Sequence, residues 1–178
     1  MDLADRTADR FDTLLGRTPT LLAHAPGRVN VIGEHTDYNG GYVLPAALGL
    51  GTVVAARRRF DGRLRTLALR RDDVDNAEMG EEPDEDTPDW ARYVRGMASL
   101  LYEEDLAPPG ADLVIDGDLP LSSGLSSSAS LEIAVGTALL GLAGEELEPA
   151  QLARFGQRVE HEIVGVRCGI MDQLASAA

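Results

Sequence analysis

The sequence of 178 residues contains no lysine, and all 16 of its basic residues are arginine. This absence excludes a phosphate loop that ends in Gly-Lys-Ser or Gly-Lys-Thr, the strand lysine of a protein kinase, and Schiff-base chemistry. If this chain binds nucleotide phosphates, it must therefore use backbone N–H groups, hydroxyls, arginine and a metal ion.

Cysteine and long apolar runs are scarce too. Cys168 is the single cysteine, which excludes a disulfide within this sequence and is typical of a reducing compartment. No apolar run reaches the length of a membrane span, and the N-terminal residues lack the apolar core of a signal peptide. The net charge of −14 argues against general nucleic-acid binding. We therefore expect a cytoplasmic protein with no membrane or nucleic-acid partner.

The spacing of apolar residues predicts a mixture of helices and strands, which is typical of the α+β class. Helices are expected over residues 2–15, from Asp89 onward, after the serine run at 126–128, and over 149–164. Strands are expected over residues 20–24, 49–58, 63–70 and 111–115, the first of them ended by Pro26. Turn residues at 60–62 predict that strands 49–58 and 63–70 form an antiparallel hairpin. The apolar stripe that contains Trp90 and Tyr93 is interpreted as core.

Residues 72–89 carry ten acidic residues and no basic one. The segment also contains two prolines and few apolar side chains. Such composition cannot bury much apolar surface, so it predicts a solvated loop.

A glycine- and serine-rich loop, LPLSSGLSSSAS, precedes a helix within residues 119–130. The first N–H groups of a helix have no partner inside the helix, and the helix dipole favours an anion there. The loop therefore indicates a phosphate site, although an ordinary serine-capped helix is an equally simple interpretation.

Polar side chains of both signs crowd residues 28–37, namely Arg28, Asn30, Glu34, His35 and Asp37. Carboxylates accept hydrogen bonds from vicinal hydroxyls while histidine and arginine donate, so the group suits a sugar better than a solvated loop. Farther along, Glu160 and Asp172 could divide the work of holding Mg²⁺ and taking a proton.

Two other enzyme signatures are incomplete. His161-Glu162 begins a zinc-binding HExxH pattern, but position 165 is glycine. The serine run lacks the second glycine of a GxSxG nucleophile turn, which argues against a serine hydrolase that uses Ser126–Ser128 with His35 or His161.

Three motifs resemble those of the galactokinases, within the wider family of galacto-, homoserine, mevalonate and phosphomevalonate (GHMP) kinases. APGRVNVIGEHTDYNGGYVLP resembles the galactokinase signature, PLSSGLSSSAS the phosphate loop, and VEHEIVGVRCGIMDQ the segment with the catalytic aspartate. The resemblance implies one α+β N-terminal domain over residues 1–178, with a mixed sheet packed against helices. Its sugar loop would span 25–48, its phosphate loop 119–130 and its catalytic segment 160–173.

The resemblance also implies an activity, the ATP-dependent phosphorylation of α-D-galactose at its anomeric hydroxyl. Asp172 would be the base, with Arg28 beside it, and Ser128 with Glu160 would hold Mg²⁺. Galactose would contact Arg28, Glu34, His35, Asp37, Gly169 and Asp172. The ATP phosphates would contact Gly124, Leu125, Ser126, Ser127, Ser128 and Ala129.

The sequence departs from the family pattern at Ser122-Ser123, where glycine is usual, and at Arg167. It also ends near the close of the family's first domain, so we expect a second kinase domain to be needed for activity. The alternatives that this leaves open are a catalytically silent galactose and ATP sensor, and a kinase for a related sugar such as N-acetylgalactosamine.

Overall fold

The computed structural model describes residues 1–33, 35–120 and 124–178. Within these ranges five strands form one sheet: β1 (Leu21–Ile32), β2 (Leu44–Arg58), β3 (Arg63–Ala68), β4 (Asp73–Glu78) and β5 (Ala111–Gly117). Their spatial order is β1–β2–β5–β3–β4. Neighbouring strands are antiparallel except β3 and β5, which are parallel. The mixed sheet expected of an α+β domain is therefore confirmed.

The same ranges contain five α-helices: α1 (Leu3–Leu15), α2 (Asp89–Glu103), α3 (Ser127–Ala143), α4 (Pro149–Arg158) and α5 (Met171–Ala177). The helix predicted over 149–164 changes its winding, since Val159–Val164 forms a π-helix directly after α4. In the described part of the chain, no helix combines the length and the apolar character needed to cross a bilayer.

Helices cover both faces of the sheet, and the alternation of side chains along β2 and β5 explains why. Phe11 of α1 is fully buried against Ala55 and Val114 on one face. Val54 and Leu113, one residue earlier on each strand, belong to the larger core that includes α2 and α3. Because successive side chains of a strand point to opposite faces, β2 and β5 place apolar residues on both faces of the sheet.

The predicted hairpin of residues 49–58 and 63–70 is wrong, although both strands exist. Strand β5 lies between β2 and β3, pairing antiparallel with β2 and parallel with β3. The turn at Gly62, with φ of +74°, therefore joins strands that are not neighbours. The strand expected to end before Pro26 also continues to Ile32, and a register shift between Pro26 and Arg28 accommodates the proline.

The acidic segment, residues 72–89, is only partly the solvated loop that its composition predicts. Residues Asp73–Glu78 form β4, whose partner is β3. Asp75 is 5% exposed and accepts two hydrogen bonds from Arg95 of α2, at 2.8 and 2.6 Å. Asp73 accepts one from the indole N–H of Trp90 at 2.9 Å. These acidic side chains join the edge of the sheet to α2.

We expect Asp75→Asn to lower the free energy of unfolding by about 3 kcal/mol, because it leaves the buried Arg95 guanidinium without a full counter-charge. Equilibrium urea unfolding measures the change. Glu85→Gln, an exposed carboxylate in the same segment, is the matched control and should shift stability by about 0.5 kcal/mol or less. Equal effects of the two substitutions would show that the segment acts only through its total charge.

Candidate active site

An ion pair between Arg28 and Asp172 lies at the centre of the candidate site. Arg28 is on β1 and Asp172 in the first turn of α5, 144 positions later. The guanidinium donates from Nε to Asp172 Oδ1 at 2.7 Å and from NH2 to Oδ2 at 2.5 Å. Its third nitrogen donates to the carbonyl of Gly124 at 2.8 Å. Arg28 therefore links the strand, the phosphate loop and α5, and this geometry fixes the direction of the Asp172 carboxylate.

Ser126 connects the phosphate loop to the same carboxylate. Its hydroxyl donates to Asp172 Oδ2 at 2.5 Å instead of capping α3, and its φ is +56°. A positive φ is unfavourable for serine, so the surrounding contacts must hold this conformation. Because the Ser126 side chain does not cap α3, the first N–H groups of this 17-residue helix remain available as donors to an anion.

Gly169, which precedes Asp172 by three positions, lies very close to Asp37 of the sugar loop. A Cβ added at Gly169 would overlap the carboxylate of Asp37. Asp37 also accepts a hydrogen bond from the backbone N–H of Met171 at 3.1 Å. The sugar-loop carboxylate is thus attached to the start of the helix that carries Asp172, and any larger residue at position 169 would force this carboxylate to move.

His35 is exposed and forms a side-chain hydrogen bond with the hydroxyl of Tyr38. Its backbone has φ of +61°, and its carbonyl accepts from Asn39 Nδ2 at 2.8 Å. These contacts fix the turn that presents the imidazole. Glu34, the other sugar-loop candidate, lies outside the described residues.

Ser128 and Glu160, the two predicted metal ligands, are brought together. Glu160 belongs to the π-helix and is 6% exposed. Burial raises the pKa of the Glu160 carboxyl, and the nearby Ser128 hydroxyl opposes that rise. In the described ranges no group of three or more His, Cys, Asp or Glu side chains could hold a metal ion by itself.

Two cavities adjoin these residues. One, of about 330 Å³, reaches from Ser127 and Ser128 to Arg70, Trp90 and Tyr93. The other, of about 610 Å³, is lined by residues that include Asp37, His161 and Gly169. Ser127 and Ser128 of the predicted phosphate residues therefore line one cavity, and Asp37 and Gly169 of the predicted sugar residues line the other.

Sequence reasoning missed three residues here. Trp90 and Tyr93 were assigned to the core alone, although they also line the cavity beside the serine run. The only tryptophan of the chain, placed in the first turn of α2, was the available signal. The third is Glu132, which is fully buried in α3. A single acidic residue inside an apolar helix was detectable from the sequence.

Two family models match the chain. The galactokinase galactose-binding signature matches residues 9–58, and the GHMP kinases N terminal domain matches residues 92–178. Two curated galactokinases, of Chloroflexus aurantiacus and Chloroflexus aggregans, are each 48% identical to the chain over 167 residues. These alignments cover 94% of this chain and 43% of each relative. The chain thus spans less than half the length of these relatives.

Two solved kinase structures are also similar to this chain. Lactococcus lactis galactokinase complexed with galactose matches 99% of this chain with a TM-score of 0.87 and 35% identity, over 46% of that protein. The mevalonate kinase of Methanococcus jannaschii matches 88% of the chain with a TM-score of 0.75 and 21% identity, over 50% of that protein. The second likeness concerns the fold alone.

Proposed function

The chain belongs to the GHMP kinase family and carries the galactose-binding signature of the galactokinases, and from this premise we propose that it phosphorylates galactose. The reaction is transfer of the γ-phosphoryl group of ATP to the anomeric hydroxyl of α-D-galactose, which yields galactose 1-phosphate and ADP. The single cysteine is compatible with the cytoplasm as the place where it acts.

The observation that carries the proposal is the arrangement of Arg28, Ser126 and Asp172. Among the described residues, Asp172 Oδ2 accepts from both Arg28 and Ser126, whereas Oδ1 accepts only from Arg28 Nε. Oδ1 therefore keeps a lone pair that can receive the proton of the sugar hydroxyl. The positive guanidinium lies next to the oxygen that would attack, where phosphoryl transfer develops negative charge.

The two cavities support separate sites for the two substrates. We assign ATP to the cavity beside α3, with its phosphates at Gly124–Ala129 and its base toward Trp90 and Tyr93. The cavity volume of about 330 Å³ is within the range of ligand pockets. We assign galactose to the other cavity, which Asp37 and Gly169 line. His35 and Glu34 of the sugar loop would be further contacts.

Ser128 and Glu160 fit a Mg²⁺ ion that is shared with the ATP phosphates. Mg²⁺ prefers oxygen ligands and is usually held by one or two carboxylates together with substrate phosphates, which agrees with this small donor set. A buried carboxylate whose pKa is raised by burial also gains from a nearby cation. When bound, Mg²⁺ would neutralise charge on the phosphates.

The contacts of the site argue against the serine hydrolase alternative. The hydroxyl of Ser126 donates to a carboxylate, and His161 Nε2 lies 2.8 Å from the carbonyl oxygen of Cys168. A serine nucleophile needs a hydrogen bond to a base such as histidine, so Ser126 in this arrangement is not activated.

We expect galactose to bind at least about tenfold more tightly than glucose, because an inverted hydroxyl leaves polar groups that the bound sugar covers without partners, at about 1–3 kcal/mol each. Isothermal titration calorimetry with galactose, glucose and N-acetylgalactosamine measures the preference directly. Equal affinity for galactose and glucose would refute the galactose assignment. Tighter binding of N-acetylgalactosamine would replace it with the related sugar.

A further inference from the structure

Glu132 is a buried acidic residue to which the proposed reaction assigns no role. It lies in α3, one turn after Ser128, and its side chain is 0% exposed. Glu132 Oε2 accepts a hydrogen bond from Gln173 Nε2 at 3.2 Å. Gln173 is 1% exposed and directly follows Asp172. The contact therefore joins the helix that begins at the phosphate loop to the helix that carries the candidate base.

The second oxygens of this pair present a hydrogen-bonding problem. Glu132 Oε1 and Gln173 Oε1 are both buried, and neither has a hydrogen-bond partner among the described residues. Two buried acceptors without a donor are costly. A neutral carboxylic acid carries one O–H donor, so a single proton on Glu132 Oε1 that is donated to Gln173 Oε1 would satisfy both atoms.

The charges around Glu132 favour its neutral form. Burial raises the pKa of the Glu132 carboxyl to about 9, and the negative charges of Glu160 and Asp172 add to the rise. The hydrogen bond from Gln173 acts in the opposite direction. Two more groups in the same region, Tyr93 and Cys168, have pKa values raised by burial and by Glu132 and Glu160, to about 12 and about 11. None of these groups supplies a positive charge to an ionised Glu132.

We propose that Glu132 is a neutral carboxylic acid that pairs reciprocally with Gln173 and thereby positions Asp172. Glu132 donates its O–H to Gln173 Oε1, and Gln173 Nε2 donates to Glu132 Oε2. Because α3 carries both the serine run and Glu132, the pair fixes α5 relative to the phosphate loop. Its effect on turnover rests on the proposed function, whereas the pair itself does not.

Two substitutions at position 132 separate pairing from charge. Glu132→Gln keeps one donor and one acceptor toward Gln173, so kcat should stay within about threefold of the original value. Glu132→Leu removes both, and kcat should fall about 10- to 100-fold while KM for galactose changes about threefold or less. Equal loss in both variants, or full activity in Glu132→Leu, would overturn the proposal.

A control distinguishes positioning from loss of stability. Leu139→Ala removes buried volume from α3 about two turns after Glu132, so it should lower the melting temperature without lowering kcat at temperatures where the variant stays folded. If Leu139→Ala lowers kcat as much as Glu132→Leu does, the effect at position 132 is one of stability, and the positioning role is refuted.

Infrared spectroscopy tests the pair without any activity measurement. The difference spectrum between the original protein and Glu132→Gln at neutral pH should contain the C=O stretch of a protonated carboxylic acid. If the difference shows only carboxylate bands, Glu132 is ionised and the proposal is wrong. A protonated band in a protein that fails to phosphorylate galactose would support the pair and refute the proposed function.

Discussion

Asp172→Asn is expected to lower kcat for galactose phosphorylation by about 10²- to 10⁴-fold, since it removes the proton acceptor while preserving the size of the side chain. This loss corresponds to about 3–5 kcal/mol of transition-state stabilisation. The amide also turns one oxygen into a donor, and both oxygens of Asp172 face the guanidinium of Arg28. The affinity for galactose should change little, because most of the proposed galactose contacts belong to the sugar loop.

The measurement is galactose-dependent ADP release by the full-length enzyme, combined with calorimetry of galactose binding. Glu162→Gln is the matched control, because it changes an exposed carboxylate to an amide near the same site and disturbs only the helix-surface pair with Arg158. Its kcat should be unaltered. An Asp172→Asn enzyme that keeps most of its turnover would show that Asp172 only orients the sugar. In that case the presence of Asp172 would not distinguish a kinase from a catalytically silent sensor.

The second large effect is expected for Gly169→Ala, which should weaken galactose binding by about 10- to 100-fold. The new Cβ would overlap the carboxylate of Asp37, so that side chain must move. This movement breaks the hydrogen bond that the Asp37 carboxylate accepts from the backbone N–H of Met171. The sugar would therefore lose a partner and the start of α5 would lose an anchor.

Calorimetry with galactose and, separately, with ATP measures this effect. ATP affinity should be unchanged, because Gly169 lines the other cavity. Gly49→Ala is the control, since a Cβ added there meets no atom within 4 Å. Unaltered galactose affinity in Gly169→Ala would show that Asp37 lies outside the sugar site.

Much of the local structure could be predicted because it depends on neighbouring residues. The apolar spacing of residues 2–15 predicted α1, and Asp2 indeed caps it by accepting from the Asp5 N–H at 2.8 Å. The same spacing predicted α2 from Asp89. The serine run predicted a helix N-terminus, which the structure places at Ser127. These features need no information from distant parts of the chain.

The predictions that failed concern the choice of partners. Apolar alternation shows that a strand is buried but does not show which strand lies beside it, so the insertion of β5 between β2 and β3 was not visible. The acidic composition of residues 72–89 predicted solvent exposure, yet Arg95 of α2 offers Asp75 a buried counter-charge. Composition alone cannot locate a partner 20 positions away.

The sequence by itself therefore determined the α+β class, the approximate starts of α1, α2 and α3, and the residue types available for phosphate and sugar, because these follow from short-range periodicity and side-chain chemistry. Only the tertiary structure decided that Arg28 reaches Asp172 across 144 positions and that Glu132 meets Gln173 across 41. Such contacts require long stretches of chain to close, which costs conformational entropy. The burial of apolar side chains between the helices and the sheet offsets this cost, and the whole core contributes to it.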